Sequence, residues 1–197
     1  MPKIVDHEQR REELAAAVWR LASREGLDAV TIRGVAAEAG WSTGALHHYF
    51  ADKEKLLLFA FQTVAGRVGR RVEAAREASA DPLELARALL AIGLPLDEER
   101  REETRLWFAF LGLALTRPSL ARAQRLAYHA WRRVVADALR DAQDQGRLDA
   151  TVDLEREAAG LVALVDGLAV QASFDPESLD AGLVDERLAR LRPAPAR

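Results

Sequence analysis

VTIRGVAAEAGWSTGALHHYFADKEKLL, residues 30–57, decides how this chain folds. Thr31 suits the N-cap of a short helix that turns Ile32, Val35, Ala36 and Ala39 inward. Gly40 supplies the turn, where a positive φ is cheap only for glycine. Ser42 caps the next helix, expected to reach Phe50 and to bury Leu46 and Phe50 one turn apart. Asp52 then caps a long helix running towards Ser79. Two short helices on a tight glycine turn, followed by a sharp restart, have the layout of a helix-turn-helix. In that motif the second helix lies in the DNA major groove.

Helical spacing continues on both sides. Upstream, Leu14, Val18, Leu21 and Ala22 share one face of a first helix, with Asp6 and Gln9 as a capping box and Gly26 at its end. Downstream, Asp81-Pro82-Leu83-Glu84 combines an N-cap, a proline at the first helical position and a returning carboxylate. Pro95 breaks that helix, and Asp97 caps another reaching about Thr116. Pro118 opens a long helix ending near Gly146, and Asp153 starts a nearly all-apolar one to about Phe174. Asp175-Pro176 precedes a final helix ending by Leu191, and the tail Arg192–Arg197 is expected to fray. The expectation is an all-α chain of nine helices. Residues 1–52 are expected to form a three-helix DNA-binding domain, and residues 53–197 a dimerisation bundle, connected by the fourth helix.

Composition narrows the function. The chain has 197 residues, 49% of them hydrophobic, which is enough for a sizeable core. It has no cysteine, which excludes disulfides, thiol nucleophiles and Cys-ligated zinc. The amino-terminal MPKIVDHEQRREEL lacks the apolar core of a signal peptide. The longest apolar run, Ala158–Ala172, is short for a bilayer and contains Asp166. A cytoplasmic protein with no membrane partner is expected. The formal net charge is −3, which argues against indiscriminate DNA coating. Locally the balance differs: Ala39–Ala51 holds no acidic residue, and Arg33 and Lys53 flank it. An enzyme built on a helical bundle is not expected. There is no nucleophile with a base at useful spacing, no HExxH, no Glu-x-x-His pair and no glycine-rich phosphate loop. No cofactor and no metal site is expected either. A non-regulatory adaptor that uses its helix-turn-helix for protein contacts is a further alternative.

Thr31-Ile32-Arg33, the Ala36–Gly40 stretch, Ser42-Thr43-Gly44-Ala45-Leu46-His47-His48-Tyr49-Phe50, Lys53 and Leu56 together resemble the DNA-binding domain of the tetracycline-repressor (TetR) family. Helix count and placement extend the resemblance over the whole chain. Leu164-Val165-Asp166-Gly167-Leu168, with Trp107 and Phe110 upstream, is similar to the subgroup containing the choline-responsive betaine-pathway repressor. The resemblance implies a repressor that binds a palindromic operator as a homodimer and is released by a small-molecule inducer; an activator on the same fold is the alternative. Two positions depart from the family pattern. His47 stands where a tyrosine often meets a phosphate; an imidazole can also donate there, with pH-dependent strength. Trp41 replaces a smaller aliphatic residue and is expected to plug the core between the two short helices, with its indole N–H reaching a phosphate as the alternative.

The candidate DNA-binding residues divide by chemistry. Thr43 offers a hydroxyl and a methyl, Ala45 can touch a thymine methyl, and Gly44 lets the backbone approach base edges; His47 and His48 share that solvent face. Thr31, Ser42, Tyr49 and Lys53 suit phosphates, which fix register, and Arg33 suits either target. Packing against the first helix is the alternative for Tyr49.

The regulatory half has its own candidates. The apolar helix around Ala158–Phe174 is expected to face its own core on one side and a partner subunit on the other. Gly160, Ala163, Leu164, Gly167 and Gln171 are placed at that interface, with the final helix beside them. The family resemblance implies a ligand pocket, for which Trp107, Phe110, Leu111, Tyr128, Trp131 and Asp166 are candidates. Aromatics could cage a quaternary ammonium, whereas core packing is the alternative for most of them. Asp166 suits either a cationic ligand or a hydrogen bond to the partner subunit.

Overall fold

The computed structural model describes residues 7–192. Among these it has nine α-helices, one 3-10 turn and no strand. The helices are α1 (His7–Glu25), α2 (Ile32–Ala39), α3 (Thr43–His47), α4 (Lys53–Ala78), α5 (Pro82–Ile92), α6 (Glu98–Ala114), α7 (Pro118–Asp144), α8 (Leu154–Phe174) and α9 (Gly182–Ala189). The expected capping box at Asp6 and most of the expected tail lie outside the described residues. Contacts divide the chain into two units. One runs to Arg67 and includes Leu106–Ala123; the other comprises Val68–Arg105 and the chain from Gln124 onward.

In the first unit α1 buries Leu14, Ala17, Val18, Leu21 and Ala22, a helical stripe facing inward. The Thr31 hydroxyl accepts a 3.0 Å hydrogen bond from the Gly34 N–H, starting α2, and Gly40 at φ 69° ends it. Gly34 is required by close approach: a Cβ there would lie 2.6 Å from the Ala29 carbonyl oxygen. Glu38 joins α2 to α1, accepting 2.8 Å bonds from Arg20 Nε and Arg24 Nη2. Those guanidinium hydrogen bonds hold its carboxyl below the usual range.

α3 is shorter than expected. It stops at His47, not Phe50, because His48 and Tyr49 bond back to Ala45 and Leu46 in the tighter i→i−3 pattern. Leu46 and Phe50 are nevertheless both buried. Asp52 restarts the chain by accepting a 2.8 Å bond from the Lys55 N–H.

The second unit has a single apolar core drawn from α4, α5, α7, α8 and α9, with Leu89, Leu90, Val135, Leu139, Leu161 and Val165 at its centre. Asp81 caps α5 through the Leu83 and Glu84 N–H groups, and Asp97 caps α6 through Arg100. Arg71 on α4 grips Glu103 on α6 with both guanidinium nitrogens. The final helix begins later than expected. Pro176–Ser178 form only a 3-10 turn, for which Asp175 provides no side-chain cap, and α9 starts at Gly182.

Length also needs a correction. The helix containing the Ala158–Ala172 run has 21 residues and is long and apolar enough to cross a bilayer by those criteria alone. Its buried residues, Leu154, Ala158, Leu161, Val162, Val165, Leu168, Ala169 and Ala172, form one face, and α8 packs on α5 and α9. That is the arrangement of a core helix.

Candidate nucleic-acid interface

α3 is anchored from below and open above. Leu46 has no exposed surface, whereas Thr43, Gly44 and His47, with the capping His48, face solvent and Ala45 is half-exposed. The Ser42 hydroxyl starts the helix by accepting a 3.1 Å bond from the Ala45 N–H. A hydroxyl used this way still carries its proton, so Ser42 and Thr31 remain able to donate to a phosphate oxygen. A Cβ at Gly44 would meet nothing nearer than Ser42 Oγ at 4.0 Å, so the fold does not require glycine there.

Charge follows the same division. Arg20 and Arg24 are neutralised by Glu38 and Glu25. Arg33 and Lys53 are exposed and form no ion pair among the described residues. Trp41 is half-buried and does not plug the core between the short helices as expected. Its ring meets Tyr49 edge-on, with centroids 5.4 Å apart and planes at 61°. The Arg10 guanidinium, from the beginning of α1, lies 5.4 Å from the Trp41 centroid. Tyr49 is half-exposed beside them.

The ligand-pocket candidates are split between the units. In the first, Phe61 stacks on Trp107 at 5.7 Å and meets Phe110 edge-on at 5.5 Å; Phe110 is fully buried and Leu111 half-buried. In the second, the Tyr128 hydroxyl donates a 2.7 Å bond to Asp166 Oδ2, and Trp131 packs against the core. Burial pushes the Asp166 carboxyl up, opposed by the Tyr128 hydrogen bond and the charge of Arg132. The Arg132 guanidinium itself lies 5.7 Å from the Tyr128 centroid. Gln124 carries no sequence signal: it is 5% exposed, and among the described residues neither atom of its amide has a hydrogen-bond partner. Nothing local distinguishes it from the solvent-facing polar residues of α7. A surface cleft of about 300 Å³ between Ser79, Leu85, Asp141 and Asp144 contains none of the candidates.

On α8 the side opposite the core is open. Gly160, Ala163 and Gln171 are exposed, and Leu164 and Gly167 half-buried. Val170 at 41% and Phe174 at 88% exposure extend the same apolar stripe.

The chain is similar to known bacterial transcriptional regulators. Residues 14–59 match the family described as bacterial regulatory proteins, tetR family. Residues 60–191 match the C-terminal part of the BetI-type transcriptional repressors. The HTH-type transcriptional regulator PksA of Bacillus subtilis is 36% identical over 176 residues, covering 89% of this chain and 84% of that protein. The HTH-type transcriptional regulator BetI of Rhizobium meliloti is 32% identical over 185 residues, covering 93% and 88%. Among solved structures, a putative transcriptional regulator from Saccharomonospora viridis in complex with choline has a TM-score of 0.79 and 26% identity. It covers 93% of this chain and 95% of its own.

Proposed function

Since the chain belongs to the tetR family of bacterial regulatory proteins and is a helix-turn-helix transcriptional regulator, we propose that it represses by binding a palindromic operator as a homodimer. A small-molecule inducer releases it. Residues 1–52 form the DNA-binding domain, and residues 53–197 sense the inducer and pair the subunits. Base edges are read by Thr43, Gly44 and Ala45, and phosphates are held by Thr31, Ser42, Tyr49 and Lys53, with Arg33 and His47 able to serve either. The observation that carries this reading is the exposed, small, acid-free face of α3 standing on a buried Leu46.

The open stripe of α8 supports pairing. Gly160, Ala163 and Gly167 allow a second helix to approach closely, while Leu164, Gln171 and the outer apolar residues flank them. A lone α3 covers few base pairs, so a two-fold pair gives the operator its palindromy and its half-site spacing.

The inducer acts by shifting a population. α4 is one continuous helix of 26 residues whose first turn follows the reading head directly and whose later turns join the second core. A ligand that prefers one setting of α4 thereby changes operator affinity. Tyr128, Trp131 and Asp166 are the candidate ligand groups in the second unit, with Trp107, Phe110 and Leu111 in the first. A quaternary ammonium caged at Tyr128 is disfavoured. Arg132 lies over that ring, and Asp166 already accepts the Tyr128 hydroxyl. The buried Gln124 amide favours a ligand with a hydrogen-bond donor and acceptor.

The test is a mobility-shift titration of the full-length protein on the promoter DNA of its own and neighbouring genes. Expected is salt-sensitive binding to a palindrome, weakened about tenfold or more by Thr43→Ala, in line with ~1–3 kcal/mol per disrupted base contact. Equal binding by parent and variant at every palindrome refutes base reading by α3.

A further inference from the structure

Arg10, Trp41 and Tyr49 form a row that the helix-turn-helix itself does not account for. The guanidinium of Arg10 lies over the indole at 5.4 Å, and the indole meets the Tyr49 ring edge-on at 5.4 Å. These three residues come from α1, from the turn between α2 and α3, and from just beyond α3. A guanidinium held over a ring by cation–π attraction does not use its N–H groups as it would in an ion pair, so they remain able to bond. Those donors match a phosphate in two-pronged fashion. Among the described residues Arg10 forms no ion pair, unlike Arg20 and Arg24 further along the same helix. Among the described residues no carboxylate cancels its charge, and its guanidinium lies over an indole that also meets Tyr49.

We propose that the DNA interface extends from α3 onto the first turn of α1, with Arg10 as a phosphate-contacting residue and Trp41 as the residue that positions it. This rests on the reading that the α3 face meets duplex DNA. Trp41 holds Arg10 on one side and limits the Tyr49 ring on the other, so that both donors address the same stretch of backbone. The unidentified operator sequence does not matter to such a contact, because phosphates are alike at every site.

The experiment uses full-length protein and the tightest duplex recovered from a random-sequence pool with the parent. Affinity is measured by fluorescence anisotropy over a range of salt concentrations for the parent, Arg10→Gln, Arg10→Lys, Trp41→Leu and the Arg10→Gln/Trp41→Leu pair. Arg10→Gln is expected to lower the slope of log K against log salt by about 0.9 per bound subunit. Arg10→Lys is expected to retain the slope while binding more weakly. The double variant is expected to lose less than the sum of the two single losses, because part of the Trp41→Leu loss acts through Arg10 and only the part acting through Tyr49 adds to Arg10→Gln. An unchanged slope for Arg10→Gln overturns the phosphate contact, and fully additive losses overturn the positioning role of Trp41. If Trp41→Leu fails to fold by circular dichroism, the two Arg10 variants still decide the contact. A parent that binds no duplex salt-dependently defeats the α3 reading itself.

Discussion

Replacing Gly44 by alanine should move folding and DNA binding in opposite directions. Gly44 is the second residue of α3, and an added Cβ would find its nearest neighbour, Ser42 Oγ, at 4.0 Å. Its φ is not in the left-handed region that favours glycine. The substitution therefore meets no steric obstacle and reduces the freedom of the unfolded chain, a gain of about 0.4–1 kcal/mol. In a chain of this length that raises Tm by roughly 1–4 °C. In the proposed complex the same methyl would occupy the space through which the α3 backbone approaches base edges. Disrupting one base contact costs about 1–3 kcal/mol, a loss of roughly five- to 150-fold in affinity. Gly34→Ala is the matched control, since its Cβ would lie 2.6 Å from the Ala29 carbonyl oxygen, a backbone atom that cannot swing away. Overpacking of this kind costs about 1–3 kcal/mol and lowers Tm. Thermal melts by circular dichroism and anisotropy titrations on the selected duplex read both quantities. Full affinity in Gly44→Ala, with Tm unchanged or raised, refutes close backbone approach at that position. A lowered Tm refutes the open space above it.

Two further substitutions test the second unit. Burial raises the Asp166 carboxyl, so ionised Asp166 costs the folded state stability above its folded pKa, and that cost disappears as pH falls below the unfolded value near 4. Asp166→Asn keeps an acceptor for the Tyr128 hydroxyl. It should melt higher than the parent at pH 8, with the gap closing in acid; a gap that widens in acid contradicts the burial argument. Ala163→Arg places a long cation on the exposed face of α8 without touching the core. Light scattering after size exclusion should show a folded monomer that binds the palindrome poorly, and an unaltered dimer mass would remove Ala163 from the interface.

Local chemistry made most of the helical layout legible in advance. Thr31, Ser42, Asp52, Asp81, Asp97 and Asp153 each cap the helix their type and position suggested, because an N-cap bond closes over two or three residues. The inward stripe of α1 and the buried Leu46 follow from spacing alone. Where helix ends depend on less local terms, the expectation ran long at α3 and early at α9. The i→i−3 tightening after Leu46 has no composition cue, and Asp175-Pro176 looks the same before a 3-10 turn as before an α-helix.

The amino-acid sequence by itself determined an all-helical chain with a helix-turn-helix near its start, because caps, turns and helical periods are written in neighbouring residues. Only the tertiary structure decided which side chains meet. It assigned Arg20 and Arg24 to Glu38, laid Arg10 on Trp41, gave Asp166 to Tyr128, and left the Gln124 amide without a partner among the described residues. It also showed which side of the nearly all-apolar α8 stays open. Each of these pairings joins residues far apart in the chain, or turns on the burial of one face. They depend on how whole helices pack, which no local pattern of residue types encodes.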